Sequence, residues 1–280
     1  MLELLGCWVA EAPRNPATKQ PSNQVIHFDT HALVSRLKTI ESLAVIPRVA
    51  STNLIARRVV TECIENELSL PQAMIIAGEQ FAGMGRNGRQ WSSPAGKGIY
   101  ATALLTRPAT ELPIIPLEMA NTVATYLRDV FAIDARIKWP NDVIVGRRKI
   151  AGILTEARVQ DDRVFLIIGI GVNVEPLADD IRPNAVSIRE VSPGDFAGIQ
   201  VATVAFIEHV DERFAHPFDR QVVLDEWQRL TIHRAGDRIE VLLGDRTVAG
   251  TWRGIDEHGR ALIQSDGNVV AVSAGDLLLA

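Results

Sequence analysis

Apolar residues recur along the chain with two periods, and together these divide most of it into short elements. Ala44 to Val49 reads as a strand, and Leu54 to Leu68 has helical spacing, with Ile55, Val59, Cys63 and Ile64 on one stripe. Ala73 to Ala77 and Ile99 to Leu105 are apolar runs of strand length. Pro116 to Phe131 reads as a helix: Pro116 suits its first turn, and Leu117, Ala120, Ala124, Leu127 and Phe131 share a face. Ala135 to Ile137, Val143 to Val145, Lys149 to Ala157 and Val164 to Val174 then form a meander of strands, turned at Gly146-Arg147-Arg148 and Asp161-Asp162. Helices are predicted over Ile199 to Phe214 and Phe218 to Leu230. Strands in a run, rather than in alternation with helices, predict an α+β fold and not a doubly wound sheet.

The pattern changes at both ends. A short helix is predicted from Phe28, with Leu33, Leu37 and Ile40 on its apolar face and Asp29 or Thr30 as its cap. Before it, residues 12–24 are rich in Pro, Asn and Ser and read as a flexible lead-in. After Thr231 short strands and turns follow at close spacing: Arg238 to Leu243, Arg246 to Ile255, Ala261 to Gln264 and Val269 to Val272. About fifty residues of this kind predict a small barrel. The chain thus divides into an extension (1–27), a main domain (28–231) and a small C-terminal domain (232–280).

Composition narrows the function classes. The chain has 280 residues and a net charge of −5, which argues against nonspecific nucleic-acid binding. Residues 1–40 hold one predicted helix, too few for a helix-turn-helix. No apolar run approaches the roughly 18 residues of a membrane span, and the N-terminus, with Glu3 and no basic lead-in, does not read as a signal peptide. The two cysteines, Cys7 and Cys63, form no disulfide framework or metal-ligand spacing and suit a reducing cytoplasm. His27 and His31 have helical spacing but no third ligand nearby, so they read as surface histidines.

The stretch from Gly78 to Tyr100 interrupts two strands with six of the chain's 20 glycines, and Arg86, Arg89 and Lys97 lie among them. Glycine lets backbone approach a ligand closely, and the cations point to an anionic one. Gly83-Met84-Gly85-Arg86-Asn87-Gly88 matches G-x-G-x-x-G, but Pro94, Gly96 and Gly98 prevent the helix a dinucleotide fold would open there. Ser51-Thr52-Asn53, at a strand-to-helix corner, reads either as a helix cap or as a ligand contact. In Lys138-Trp139-Pro140-Asn141-Asp142, Trp139 can anchor a corner at which Lys138 and Asp142 either form a solvated pair or point into one site, the lysine for phosphate and the acid for Mg²⁺ or a base donor. Lys149 opens an apolar strand, where it can face a carboxylate, and Gly169, Gly171 and Asn173 interrupt another strand where something must come close.

Taken together, Ser51-Thr52-Asn53, Glu79-Gln80, the GMGRNGRQWSSPAGKGIY loop, KWPND (138–142), KIAGILTE (149–156) and GIGVNV (169–174) resemble the biotin–[acetyl-CoA-carboxylase] ligase family, in its order and spacing over residues 28–280. The resemblance implies a mixed, largely antiparallel central sheet with helices on one face, followed by a small SH3-like barrel. It implies ATP-dependent activation of biotin as biotinoyl-5′-AMP, with Mg²⁺, and transfer to one lysine of a biotin carboxyl carrier domain. Ser51, Thr52, Asn53 and Gln80 match its biotin-pocket residues, and Gly83, Gly85, Arg86, Arg89 and Trp91 belong to its ligand loop. Lys149, with Gly152 in the same strand, matches the lysine beside the biotin carboxylate. Lys138 and Asp142, beside Asn141, match the lysine and acid near phosphates and metal, and Asn173 the asparagine on the adenylate side. The implied catalytic set is Lys138, Arg86, Lys149 and Asp142, with Asp142 as the metal ligand. The family includes monomers and edge-strand dimers, so a homodimer is compatible. Lipoate or octanoyl ligases share the implied fold but lack KWPND. A biotin-responsive repressor would need an N-terminal DNA-reading domain. One departure stands out: Met84 replaces the first arginine of the usual G-R-G-R-x-G-R, so the loop is expected to be weaker by one cation.

Overall fold

A computed structural model describes residues 29–179, 181 and 183–279. The extension at 1–27, with Cys7 and His27, lies outside the described residues. The elements run α1 (Thr30–Val34), β1 (Ser42–Ile46), α2 (Thr52–Glu65), β2 (Ala73–Ala77), β3 (Gly98–Pro108), α3 (Ile115–Phe131), β4 (Arg136–Lys138), β5 (Asp142–Val145), β6 (Arg148–Gln160), β7 (Arg163–Asn173), α4 (Ile188–Val191), α5 (Ile199–Ala215) and α6 (Arg220–Leu230). Strands β8 (Arg238–Leu243), β9 (Arg246–Ile255), β10 (Ala261–Ser265), β11 (Asn268–Val272) and β12 (Asp276–Leu279) complete the chain.

Strands β1 to β7 form one sheet in the order β1-β2-β3-β7-β6-β5-β4. Only β1 and β2 run parallel in it, as expected of a mixed, mainly antiparallel sheet. Side chains alternate between its faces. On one face Met74, Ile76, Ala103, Leu105, Leu166 and Ile168 pack against α3, α5 and α6. On the other, Ile75, Leu104 and Ile167 pack against Ala56, Val59, Val60 and Cys63 of α2. Helices therefore cover both faces, not one: the apolar stripe of α2 needs a partner, and the alternate positions of β2, β3 and β7 supply it.

The first helix ends at Val34, short of its expected reach to Ile40. Asp211 of α5 takes over there, accepting hydrogen bonds from the N–H groups of Lys38, Thr39 and Ile40 at 2.6, 2.8 and 2.8 Å. Three backbone donors and the Thr39 hydroxyl on one buried carboxylate hold the chain in a turn instead. Arg213 of α5 pairs with both Glu118 of α3 and Glu226 of α6, tying the three helices together.

The last five strands form an antiparallel sheet in the order β11-β10-β9-β8-β12. It shares the larger core: Trp252 of β9 lies 6.4 Å from Trp227 of α6 and is stacked 4.6 Å from His233. No helix among the described residues is long and apolar enough to cross a membrane.

Candidate active site

The face of the sheet that packs α2 changes character beyond the start of that helix. Leu104 and Ile167 give way, two and four positions along, to Thr102 and Tyr100 on β3 and to Gly169 and Gly171 on β7. Gly152 of β6 is paired with Gly171. Small residues there open a cavity of about 450 Å³ lined by Ser51 to Asn53, Gln80, the glycine loop, residues 138–142, Lys149, Gly152, Gly169, Gly171, Asn173 and Gly275 to Leu278. Each glycine admits a named neighbour. A Cβ on Gly169 would stand 2.4 Å from Asn53 Oδ1, and one on Gly171 2.4 Å from the Trp91 indole. On Gly152 it would meet the Lys149 Cε at 2.9 Å and Trp91 at 3.0 Å.

Ser51-Thr52-Asn53 opens α2, with Thr52 as its first residue, and all three side chains are buried. Ser51 caps without a side-chain hydrogen bond, so its hydroxyl is not spent on the helix. The Thr52 N–H donates to Gln80 Oε1 at 2.8 Å, and Gln80 Nε2 donates to Ser93 Oγ at 3.0 Å. Thr102 Oγ1 lies 2.7 Å from both Thr52 Oγ1 and Asn53 Oδ1. Asn53 Nδ2 donates to Glu156 Oε1 at 2.8 Å, and Arg57 Nε to Glu156 Oε2 at 2.6 Å.

The glycine loop folds back on itself. Gly85 N–H donates to Arg89 O at 2.7 Å and Trp91 N–H to Gly83 O at 2.9 Å, around a single turn at Arg86–Gly88 in which Asn87 and Gly88 have φ of 54° and 72°. Gly83 alone of the predicted ligand residues does not line the cavity. A Cβ there would lie 2.4 Å from Trp91 O and 2.8 Å from Ser93 Oγ, so this glycine lets the loop close on itself. Trp91 lies across the glycine floor with its Nε1–H buried against Gly171 and without a partner.

Lys149 and Asp142 meet at the centre, Nζ to Oδ1 at 2.6 Å, with Nζ also 5.1 Å from the centre of the Trp91 ring. Arg86 reaches the same region, donating to Asn141 Oδ1 at 2.9 Å and Gly275 O at 3.3 Å. Burial lowers the Arg86 pKa, opposed by Asp276 and Asp142, so its charge is held in a partly desolvated place. Arg89 pairs with Asp276 of β12 at 2.5 Å, which latches the loop to the C-terminal sheet. Asn173 is buried and donates to Lys149 O and Val186 O at 3.3 and 3.2 Å. Its amide fixes the Lys149 backbone while its residue still lines the cavity.

Residues 138–142 are pinned from behind. Trp139 is buried, and two residues before it the Ile137 carbonyl accepts from the Ile232 N–H at 3.0 Å and the Thr231 hydroxyl at 3.2 Å. The Trp139 N–H donates to His233 Nε2 at 2.9 Å and its indole N–H to Gly259 O at 3.1 Å. The Trp139–Pro140 bond is cis.

The structure thus gathers Lys138, Arg86, Lys149, Asp142, Ser51, Thr52, Asn53, Gln80, Gly85, Arg89, Trp91, Asn141, Gly152 and Asn173 around one cavity. Thr102, Glu156, His233 and Asp276 were not expected to act there. Glu156 was within reach of sequence reasoning, since it has the same parity as Gly152 in β6. No group of three or more potential metal ligands occurs among the described residues. A cation could share the carboxylate of Asp142 with phosphate oxygens, which suits Mg²⁺, an ion commonly held by one or two carboxylates and its substrate.

A model of the biotin/lipoate A/B protein ligase family matches residues 45–173, and one of the biotin protein ligase C-terminal domain matches 236–279. The chain is 31% identical over 250 residues to a biotin–[acetyl-CoA-carboxylase] ligase of Mycobacterium tuberculosis, which spans 84% of this chain and 88% of that protein. It is 32% identical over 216 residues to the bifunctional ligase/repressor BirA of Bacillus spizizenii, spanning 74% of this chain and 66% of that one. The biotin protein ligase from Aquifex aeolicus in complex with biotin and ATP superposes with a TM-score of 0.68 at 25% identity, covering 86% of this chain and 100% of that one. Both parts of the fold are matched in order, and the likeness to a ligase runs through nearly all of that protein's length, so this chain belongs to the biotin protein ligase family.

Proposed function

We propose that this chain is an ATP-dependent biotin protein ligase: it joins biotin to AMP as biotinoyl-5′-AMP and passes the biotinoyl group to one lysine of a biotin carboxyl carrier domain. The observation that carries this reading is the juxtaposition, in one cavity, of a neutral polar end at Thr52, Asn53 and Gln80 with a cationic end at Arg86, Lys138 and Lys149. The neutral end suits the urea ring of biotin, and the cationic end suits a carboxylate and phosphates that would otherwise repel each other.

Lys149 stands where the biotin carboxylate meets the α-phosphate. In the first step a carboxylate oxygen bonds to the α-phosphorus, and the bond to pyrophosphate breaks. Arg86 and Lys138 face the charge that develops on the phosphate oxygens. Asp142, paired with Lys149, would hold a Mg²⁺ ion, which supplies further neutralisation of phosphate charge when bound. In the second step the carrier's neutral lysine amine attacks the biotinoyl carbonyl, an amide forms as the amine gives up one proton to solvent, and AMP leaves with the electron pair. An acyl-adenylate hydrolyses readily, and Trp91 on the glycine floor under the folded loop excludes water from it. The cysteine content and the absence of a membrane-crossing helix among the described residues fit a cytoplasmic enzyme.

The test is to combine the protein, ATP, Mg²⁺, biotin and a carrier domain and to weigh the carrier. A mass gain of one biotinoyl group on lysine is expected. A gain with lipoate but not biotin would overturn the reading in favour of a lipoate ligase.

A further inference from the structure

The hydrogen-bond chain behind the neutral end of the cavity has a fixed direction. At one end the Thr52 N–H can only donate, and it fixes Gln80 with Oε1 toward it. At the other end a carboxylate can only accept, so Glu156 fixes Asn53 with Nδ2 toward it and Oδ1 toward Thr102. A carboxamide oxygen cannot donate, so the single proton of the Thr102 hydroxyl goes to Asn53 Oδ1. Thr102 Oγ1 must then accept at its 2.7 Å contact with Thr52, which would otherwise hold no proton, so the Thr52 hydroxyl spends its proton there rather than on Gln80 Oε1 at 3.1 Å. What remains toward the cavity at Thr52 Oγ1 and Gln80 Oε1 is lone pairs.

The geometry points to Glu156, held by Arg57, as the residue that sets this polarity and so makes the pocket select a ligand with N–H donors. Neither residue lines the cavity, and each acts through Asn53 and Thr102 as a positioning residue. The inference rests on the biotin reading, since a cyclic urea supplies two such N–H groups and a dithiolane ring supplies none.

Arg57 makes the test sharp. In Glu156→Gln the new carboxamide turns its oxygen to the Arg57 Nε, which lies 2.6 Å from the present Oε2, and its NH₂ to Asn53. Two donors then face each other, Asn53 flips, Thr102 turns its proton to Thr52, and the Thr52 hydroxyl turns its own proton to Gln80 Oε1, 3.1 Å away, so fewer lone pairs are left for the ligand. In Arg57→Met/Glu156→Gln the carboxamide can present its oxygen to Asn53, and the original direction returns.

Binding is measured by calorimetry for biotin and for a biotin analogue methylated on a urea nitrogen, with ATP binding as a control on the fold. Glu156→Gln is expected to weaken biotin about ten- to a hundredfold. The analogue and ATP should change little. The double variant should recover most of the loss, and Thr102→Val should mimic Glu156→Gln while Thr102→Ser does not. Equal weakening of biotin and analogue, or no recovery in the double variant, would overturn the inference. Unaltered biotin binding in Glu156→Gln would overturn it while leaving the ligase reading intact. Failure of the wild-type protein to bind biotin at all would overturn both.

Discussion

His233 joins the two sheets through a neutral imidazole, and acid should break that joint. The residue is fully buried, stacks on Trp252 and accepts the Trp139 N–H on Nε2, so the proton of the neutral ring sits on Nδ1, which has no partner. Burial pushes its pKa down to about 4; Asp237 opposes the shift and Lys138 reinforces it. In the unfolded chain the pKa is near 6.5. The unfolded state thus binds the proton first. The stabilisation is fully present above about pH 6.5 and is lost as pH falls toward about 4. Between about pH 7.5 and pH 5 the loss from this one residue is about 2 kcal/mol. His233→Phe keeps a ring over Trp252 but leaves the Trp139 N–H unpaired, at a cost of about 1–3 kcal/mol at any pH. Urea unfolding at several pH values in this range should show the wild type ahead at neutral pH and the two proteins converging in acid. His209, whose pKa burial also lowers, is common to both and cancels in the difference. Parallel pH dependences in wild type and variant would refute the reasoning.

Lys149→Ala should cut adenylate formation at least about a hundredfold with an unchanged circular dichroism spectrum, because it removes the cation at the centre of the cavity; wild-type rates of biotin-dependent pyrophosphate release would contradict this. Gly171→Ala places a methyl group 2.4 Å from the Trp91 indole, which must leave the floor. The thermal midpoint should hardly move, whereas biotin affinity measured by calorimetry should fall about tenfold, since a ring that can be displaced within a loop costs the ligand more than the fold. Met84 lines the cavity beside Gly85, so Met84→Arg should add a charge-assisted contact and slow release of the adenylate, by at most about 1.5–3 kcal/mol if buried and less where water screens it. Equal release rates by filter assay would show that the position makes no contribution.

Most strands of the main sheet were legible because each is an apolar run bounded by glycine or charged turns; β2 was located end to end. Contacts from far along the chain account for what was missed. The first helix was overestimated because Asp211, more than 170 residues away, captures the N–H groups of Lys38 to Ile40. Strand β12 is four residues, too short to stand out by its own pattern, and its existence depends on pairing with β8. Helix α4 has four residues, too few to establish a period.

The site shows the same division more finely. Interrupting glycines in β7 announced that something approaches, but not what: Asn53 fills the space over Gly169 and Trp91 that over Gly171. A charged residue in a strand ordinarily points to water, and by that rule Glu156 carries no message. Parity says otherwise, because Gly152, Leu154 and Glu156 share the face that packs α2, and on that face a carboxylate must find a partner. It finds two, Arg57 and Asn53, one turn apart on α2. Asn53 is therefore a relay as much as a contact: its amide is engaged on both sides, and its influence on a ligand passes through the hydroxyls of Thr102 and Thr52. Substitution at Asn53 should consequently be felt as a change in which ligand is accepted, and not merely as one lost hydrogen bond, because the direction of the whole chain depends on that amide staying as Glu156 holds it.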